Sequence, residues 1–444
     1  MRCSDYTIQI PLHTSSSQEV LMHGYTGAID IVPESTYQRL RDGILDLPSE
    51  QVIKLQERGY ITNKTAEEEN AYVRRIAKVM MMRNARLKKD FTFIVSYNCN
   101  FRCPYCFENN RLNQPSHVAL TTDIVDFMFE AMLKIEPNRQ LHNDVITLFG
   151  GEPLLKANVA LVEYIVAKGK ELGYRFTATT NGYDLDNYLH LLSQNMIYGV
   201  QITIDGTKET HNQRRKHHSE NDTFSKIIAN IKSVLQVGAL IKVRVNIDAS
   251  NIDELQDLLF YLRTEQILDH PNFKIYVEYI SGAGNFCPEN YKNRNTEQEI
   301  KPFIYTLAKL SPNVPYSLSL YSNLFNAILR GKALAFNPQH CGANSQSYIL
   351  DPDGNIYACH EFVGSREQII GSYMPDIKWN CSVLDAWHKR QALQIDNCSH
   401  CKYALLCGGG CGARSIITKN QFCCNDFQAR LTGITNILIN KIPL

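Results

Sequence analysis

The chain has 444 residues, 44% of them hydrophobic and 20% charged, with 46 basic against 45 acidic side chains. This composition excludes global disorder, and the near-zero net charge gives no electrostatic case for nucleic acid or an anionic membrane as partner. No apolar run is long enough to span a bilayer, and the opening MRCSDYTIQIPL lacks a secretory signal's basic and apolar regions, so a cytoplasmic protein is expected.

Residues 1–85 read as a small α+β unit. Strands are expected over Thr7–Pro11, Glu19–Met22 and Ala28–Val32. Pro33-Glu34 suits a first helical turn, and Ser49 suits the cap of a helix over Glu50–Glu57. Thr65 and Glu68 have capping-box spacing ahead of the periodic Tyr72, Ile76, Val79 and Met80. Strands followed by helices in so short a stretch suggest a winged-helix-like module.

Residues 86–290 alternate strand and helix. Strands are expected at Phe91–Ser96, Val145–Phe149, Phe176–Thr180, Val200–Ile204, Ile241–Ile247 and Phe273–Tyr279. Helices are expected at Asp123–Lys134, Asn158–Leu172, Phe224–Gln236 and Asp253–Thr264. This alternation argues for a parallel sheet, wound by right-handed crossovers into an open sheet or a partial barrel. Residues 291–340 read as a connector with helices near Glu297–Lys309 and Leu318–Leu329. Residues 341–444 are rich in cysteine and glycine and short of long helices, a composition that needs metals or staples to hold a shape.

The 14 cysteines are unevenly placed. Cys99, Cys103 and Cys106 crowd one loop, nine fall after residue 340, and Cys3 and Cys287 stand apart. In a reducing compartment such clusters are metal ligands or catalytic thiols more often than disulfides. C-x3-C-x2-C directly after the first strand of the α/β block can hold three irons of a cubane and leave the fourth for an external ligand. The bland alternative is a zinc knuckle, which wants a fourth ligand that neither His117 nor His142 supplies in a motif. Further polar groups gather at later strand ends: Gly150-Gly151-Glu152-Pro153, Thr180-Asn181-Gly182, Thr203-Ile204-Asp205-Gly206, and Arg244, Asn246 and Asp248 on one strand face. Singly these are ordinary turns. Together they favour a pocket for a small charged molecule.

These motifs, with Gln201–Arg215, resemble the radical S-adenosylmethionine (SAM) enzymes over about residues 90–280. The resemblance implies an α/β fold with a partial (β/α)6 TIM-like barrel. It implies a [4Fe-4S] cluster on Cys99, Cys103 and Cys106, whose open iron binds the amino and carboxylate groups of SAM. Gly150, Gly151, Glu152 and Pro153 would hold the methionine amine. Tyr105, Thr203 and Asn246 would lie near the adenosine, Asn181 in the same pocket, and Arg215 near the carboxylate. Asn212 departs from relatives that carry Asp there and is assigned no catalytic role.

The last block resembles the SPASM extension, which carries two auxiliary iron–sulfur clusters. By that resemblance Cys398, Cys401, Cys407 and Cys424 hold an outer cluster, and Cys341, Cys359 and Cys411 an inner one. Ala335 stands where fully ligated members have a further cysteine, so the inner cluster has an open iron or takes Cys423 or a distant ligand. Sulfatase-maturing relatives have Asp after the cysteine at 359. Here His360 and Glu361 follow, as candidate hydrogen-bond partners beside the cluster's ligands, in a string closer to peptide-crosslinking maturases. The run Arg214–His218 reads as a solvated loop, and Cys3, Cys287 and Cys381 have no assigned role. The segments His23–Asp30 and Glu57–Ile61 resemble modules that bind a leader peptide by strand addition, the alternative being a cap packed on the barrel.

The implied activity is reductive cleavage of SAM to a 5′-deoxyadenosyl radical that installs a thioether or carbon–carbon crosslink in a ribosomally made precursor peptide. The implied partners are that peptide with its leader and an electron donor such as flavodoxin or ferredoxin. The alternatives are a sulfatase-maturating side-chain oxidase, a peptide epimerase, and a non-enzymatic zinc-stapled binding module.

Overall fold

The computed structural model describes residues 1–12, 17–43, 48–109, 111–112, 114, 117–280, 314–315, 318–419 and 427–442. Cys287, Cys423, Cys424 and the expected helix near Glu297–Lys309 lie outside them.

The N-terminal unit contains β1 (Arg2–Cys3), β2 (Thr7–Pro11), β3 (Gln18–His23), β4 (Ile29–Pro33), α1 (Ser35–Arg41), α2 (Ser49–Arg58), β5 (Ile61–Thr62) and α3 (Ala66–Asn84). β2, β3 and β4 form an antiparallel meander, and β5 returns to pair with β1. The capping box forms as expected: the Glu68 amide donates to Thr65 Oγ1 at 3.2 Å and the Thr65 amide to Glu68 Oε2 at 2.9 Å. Two helix starts differ from expectation. Pro33 closes the edge strand β4, where its missing N–H does no harm, and α1 begins after Glu34. Ser49 is the first residue inside α2, with Pro48 before it and no side-chain cap.

Six parallel strands follow in sequential order: β6 (Lys89–Ser96), β7 (His142–Gly150), β8 (Arg175–Thr180), β9 (Ile197–Thr203), β10 (Leu240–Ile247) and β11 (Phe273–Tyr279). The crossovers are α4 (Thr122–Ile135), α5 (Val159–Glu171), a single 3₁₀ segment Leu185–Leu191, α6 (Lys208–Arg214) with α7 (Thr223–Gln236), and α8 (Leu255–Thr264). β6 and β11 are not paired with each other, so the barrel is open. Alternate residues such as Phe91, Phe93, Ile146, Leu148, Phe176 and Ala178 are buried, and the polar strand ends gather at the carboxyl rim.

After α9 (Leu318–Arg330), the cysteine-rich block does more than append a lobe. β12 (Ser347–Leu350) pairs parallel to β6, Tyr348 opposite Phe91 and Leu350 opposite Phe93, and so covers the edge that the barrel leaves open. β13 (Asn355–Tyr357), β14 (Gly371–Ser372) and β15 (Lys378–Trp379) continue it antiparallel into one ten-stranded sheet. α10 (Cys381–His388), α11 (Ala404–Cys407) and α12 (Gly412–Thr418) are short, but α13 (Phe427–Ile439) has 13 residues. This corrects the expectation of a block without long helices: nine of those residues are buried, so the helix has no broad polar face to reveal its period. α13 covers the outer side of β2, where Asn436 Nδ2 donates to the Pro11 carbonyl at 3.0 Å.

The N-terminal unit docks on this last block. Tyr6, Val73 and Ala77 share a core with Leu393, Ile395 and Leu405. Asn84 Nδ2 donates to both Asn337 Oδ1 and Gln339 Oε1, at 2.8 and 3.0 Å, and Asn70 Nδ2 to the Ser399 carbonyl at 2.7 Å. Among the described residues no helix is long and apolar enough to cross a membrane.

Candidate active site

The loop after β6 carries Cys99, Cys103 and Cys106, none of them in a disulfide among the described residues. It is fixed from two sides. Its backbone turns on itself through the Cys106 amide to the Cys103 carbonyl at 3.1 Å, and Asn109 Nδ2 donates to the same carbonyl at 2.9 Å. On the other side the run Arg214–His218 backs it: Phe101 forms a bridge with His217, and the Arg102 amide donates to the Lys216 carbonyl at 2.7 Å. The reading of that run as a solvated loop is therefore corrected. Only Lys216 and His218 are exposed in it, Arg215 is buried, and the backbone makes the contacts.

Burial raises the pKa of all three thiols. Cys106 is pushed up to about 12, with Glu108 adding to the effect, and Glu152 adds to it at Cys99. Such thiols are inert as free nucleophiles near neutrality and become thiolates against a metal centre. That donor set fits an iron–sulfur cluster.

Around the thiols lies a cavity of about 320 Å³. It is lined by Cys99, Cys103, Tyr105, Cys106, Gly150 and Gly151, and by Glu152, Asn181, Thr203, Arg215 and Asn246. Of the site residues expected for this pocket, Pro153 alone does not line it; it lies buried behind Glu152. The approach of the β7 loop to the thiol loop is set by glycine. Gly150 has φ +134°, and a Cβ there would stand 2.3 Å from the Ser96 carbonyl oxygen.

Glu152 is 1% exposed and its carboxylate is already in use. Oε1 accepts from the Leu154 amide at 2.8 Å and Thr180 Oγ1 at 2.7 Å, and Oε2 from the Asn181 amide at 2.6 Å. Burial still lifts its pKa to about 7 against these bonds. Its observed task is thus to pin the end of β8 under the thiol loop. Asn181 Nδ2 completes the tie by donating to Asn100 Oδ1 at 2.7 Å.

Tyr105 is the hub of the opposite wall. Its hydroxyl donates to Asp205, accepts from Arg215 Nη1 at 2.8 Å, and meets Asn246 Nδ2 at 3.4 Å. Asp205 also accepts from the Asn246 amide at 3.2 Å, so one fully buried carboxylate ties the loop, β9 and β10 together. Sequence reasoning named Thr203-Ile204-Asp205-Gly206 among the polar strand ends but gave Asp205 no role of its own. Several buried atoms here have no hydrogen-bond partner among the described residues, among them Asn246 Oδ1, Arg215 Nε and Glu108 Oε1. Each orphan costs about 1–3 kcal/mol unless a ligand meets it, so the wall fits a polar, charged small molecule such as SAM. Asn212 Oδ1 accepts from Thr223 Oγ1 and the Phe224 amide at the start of α7, a structural use.

In the last block Cys341, Cys359 and Cys411 lie within electrostatic reach of one another. Burial raises Cys341 and Cys359, and Cys411 adds to both shifts. Cys398 and Cys401 share one turn, and Cys407 ends α11. The spacer from Cys407 to Cys411 is Gly408-Gly409-Gly410, all three at positive φ (69°, 82° and 74°), a path that other residues resist. Ala335 and Cys411 line a second cavity, of about 590 Å³. His360 packs its ring edge against Phe149 at 4.7 Å, and burial holds its pKa down to about 4, so it is neutral. Glu361 lines both cavities. Among the described residues no three His, Cys, Asp or Glu side chains converge as for a single metal ion.

Residues 93–262 match the Radical SAM superfamily. The chain is 24% identical over 347 residues to the cysteine-type anaerobic sulfatase-maturating enzyme of Clostridium perfringens strain 13, covering 71% of this chain and 86% of that enzyme. It is 28% identical over 284 residues to the GTP 3′,8-cyclase of Helicobacter pylori strain HPAG1, covering 62% and 82%. Native anSMEcpe with bound AdoMet and Cp18Cys peptide has a similar fold, with a TM-score of 0.56 at 20% identity over 80% of this chain and 99% of that one. Streptococcus suis SuiB bound to precursor peptide SuiA aligns with a TM-score of 0.51 at 13% identity, over 97% of this chain and all of that one.

Proposed function

From the premise that this chain is a radical SAM enzyme, we propose that it is a peptide maturase that installs a crosslink, thioether or carbon–carbon, in a ribosomally made precursor peptide. The observation that carries the reading is the fusion of a thiol-lined barrel cavity to a docked module with an open sheet edge. β2 is covered by α13 and β3 is central, whereas the outer edge of β4 has no strand partner among the described residues and Ile31 on it is exposed. A leader peptide added to β4 would be held by main-chain hydrogen bonds, with side-chain pockets giving specificity. The fold of SuiB, a protein solved with its precursor peptide, runs through 97% of this chain, against 80% for anSMEcpe.

Cys99, Cys103 and Cys106 would hold the [4Fe-4S] cluster, and Cys341, Cys359, Cys411, Cys398, Cys401, Cys407, Cys424 and Cys423 the two auxiliary clusters. The bound cluster and SAM supply reductive carbon–sulfur cleavage and hence a 5′-deoxyadenosyl radical. The protein's part is placement. Arg215 Nε and Asn246 Oδ1 offer a buried donor and a buried acceptor, one suited to a carboxylate and the other to a hydroxyl or amino group. Gly150 and Gly151 let backbone approach the ligand, and Tyr105 keeps Arg215 and Asn246 aimed. Glu361 and Arg414 line the cavity on the side of the cysteine-rich block.

Tandem mass spectrometry of a precursor peptide after anaerobic turnover with SAM tests this. Loss of two hydrogens at a localised pair of residues supports the crosslink. Unchanged mass with deuterium taken from heavy water points to epimerisation. The second reading, a sulfatase-maturating side-chain oxidase, is favoured by the 24% identity to that enzyme. It requires instead oxidation of a single side chain.

A further inference from the structure

The reaction cavity is one of two that share lining residues. The outer one lies between the end of α3, α9 and the cysteine-rich block, and Glu361 and Arg414 line both, so that pair stands between the two. Its wall gathers cations from separate parts of the chain: Arg83 from the last turn of α3, Arg414 from α12 and Arg430 from α13. Glu361 is the one carboxylate among its described lining residues. The reaction cavity adds Arg215 and, on β10, Arg244, there in the company of Glu108 and Glu152.

Two of these arginines lack an internal explanation. The Arg83 side chain is exposed and makes no hydrogen bond or ion pair with a described residue. Arg244 Nε is buried without a hydrogen-bond partner among the described residues. Glu361 likewise makes no side-chain hydrogen bond to a described residue, and its carboxyl feels Arg414 and Arg244 at a distance. Like charges collected around a shared cavity repel more strongly than in water, and an anion between them relieves the cost. The planar guanidinium fork matches a carboxylate in two-bond geometry. Compensation of the thiolates at Cys407 and Cys411 accounts for Arg414 and Arg430, which share their wall. It accounts neither for Arg83 on the N-terminal module nor for Arg244 inside the barrel.

We propose that the outer cavity is the port through which the substrate peptide passes from the N-terminal module to the reaction cavity, and that it selects a segment carrying Asp or Glu side chains, with Arg83 as the outer contact and Arg244 as the inner one. The inference rests on the peptide-maturase reading and adds a substrate class to it.

The test uses the full chain, anaerobically reconstituted, with SAM present. Fluorescein-labelled peptides alternating glycine with glutamate, with glutamine or with lysine are titrated by anisotropy. The glutamate peptide is expected to bind and the other two not, with affinity falling as salt rises. Arg83→Glu should weaken it about threefold and Arg244→Gln about thirtyfold. Arg263→Glu, on the surface of α8, should leave it unchanged. Equal binding of the glutamate and glutamine peptides, no binding of the glutamate peptide, or unchanged affinity in both Arg83→Glu and Arg244→Gln overturns the port. 5′-Deoxyadenosine is measured separately from SAM and reductant. Its absence in the wild type sinks the radical enzyme reading and leaves the binding result legible on its own.

Discussion

Alanine at position 150 should cost the protein its cluster site while leaving most of the chain folded. Gly150 has φ +134°, which L residues avoid at about 1–3 kcal/mol. The added Cβ would also lie 2.3 Å from the Ser96 carbonyl oxygen and 3.3 Å from Ile94 Cγ2. The obstacle is backbone, so relief requires parting β7 from β6 at the Ser96–Gly150 pair, immediately before the thiol loop. Overpacking of this kind adds about 1–3 kcal/mol, for a total of roughly 2–6 kcal/mol focused on that loop. Gly238 is the internal control: its φ is +83° and nothing lies within 4 Å of a Cβ built there, so Gly238→Ala should cost only about 1–2 kcal/mol. Iron, sulfide and visible absorbance are measured after reconstitution of each variant with Cys341, Cys359, Cys398 and Cys411 replaced by Ala. In that background the signal comes from the first motif. Gly150→Ala should lose most of its iron and Gly238→Ala little. Equal loading of the two would refute the idea that the close approach at Ser96 sets the thiol loop.

Three other outcomes are expected. Tyr105→Phe removes the hydroxyl that joins Asp205, Arg215 and Asn246, leaves the buried Asp205 short of a donor, and should weaken SAM binding by about 1–3 kcal/mol; calorimetry on the reconstituted protein reads this, and an unchanged affinity would count against the hub. Asn84→Ala leaves Asn337 Oδ1 and Gln339 Oε1 without that donor at the docking seam and should cost about 2 kcal/mol, seen as faster proteolysis between residues 1–85 and the rest. His23 is fully buried and its pKa is lowered to about 4 by burial, below the 6.5 of an unfolded histidine. The unfolded state therefore binds the extra proton first, and its contribution is intact above pH 6.5 and lost as pH falls toward 4, up to about 3 kcal/mol. Hydrogen exchange of β2–β4 peptides, corrected for intrinsic rates, should show the module loosening between pH 7 and pH 5, and His23→Gln should flatten that dependence.

Much of the barrel was legible because each strand is an apolar run bounded by helix and turn signals, and because the chemistry sits at strand ends. Phe273–Tyr279 and the Thr65–Glu68 cap fell where the pattern placed them. The rest depends on contacts between distant segments. Nothing in Ser347–Leu350 announces that it will pair with β6, since pairing needs the edge that an open barrel leaves free. α13 buries nine of its 13 residues, Thr435 and Asn436 among them, and so shows no apolar stripe set against a polar one. Arg214–His218 looked solvated because its side chains are charged, yet its backbone binds the thiol loop. Glu152 could be picked out as functional, but the three donors that occupy it come from residues 154, 180 and 181 and are set by the fold.

The central claim is that the thiols on the β6 loop support reductive cleavage of SAM. It is tested most directly by measuring 5′-deoxyadenosine after anaerobic reduction of the reconstituted chain with SAM, alongside the iron count. The wild type should carry about 12 irons if all three sites hold cubanes and should form 5′-deoxyadenosine. Cys103→Ala should lose about four irons and the product together while keeping the auxiliary clusters. Zinc in place of iron, or 5′-deoxyadenosine formed equally well by Cys103→Ala, would contradict it.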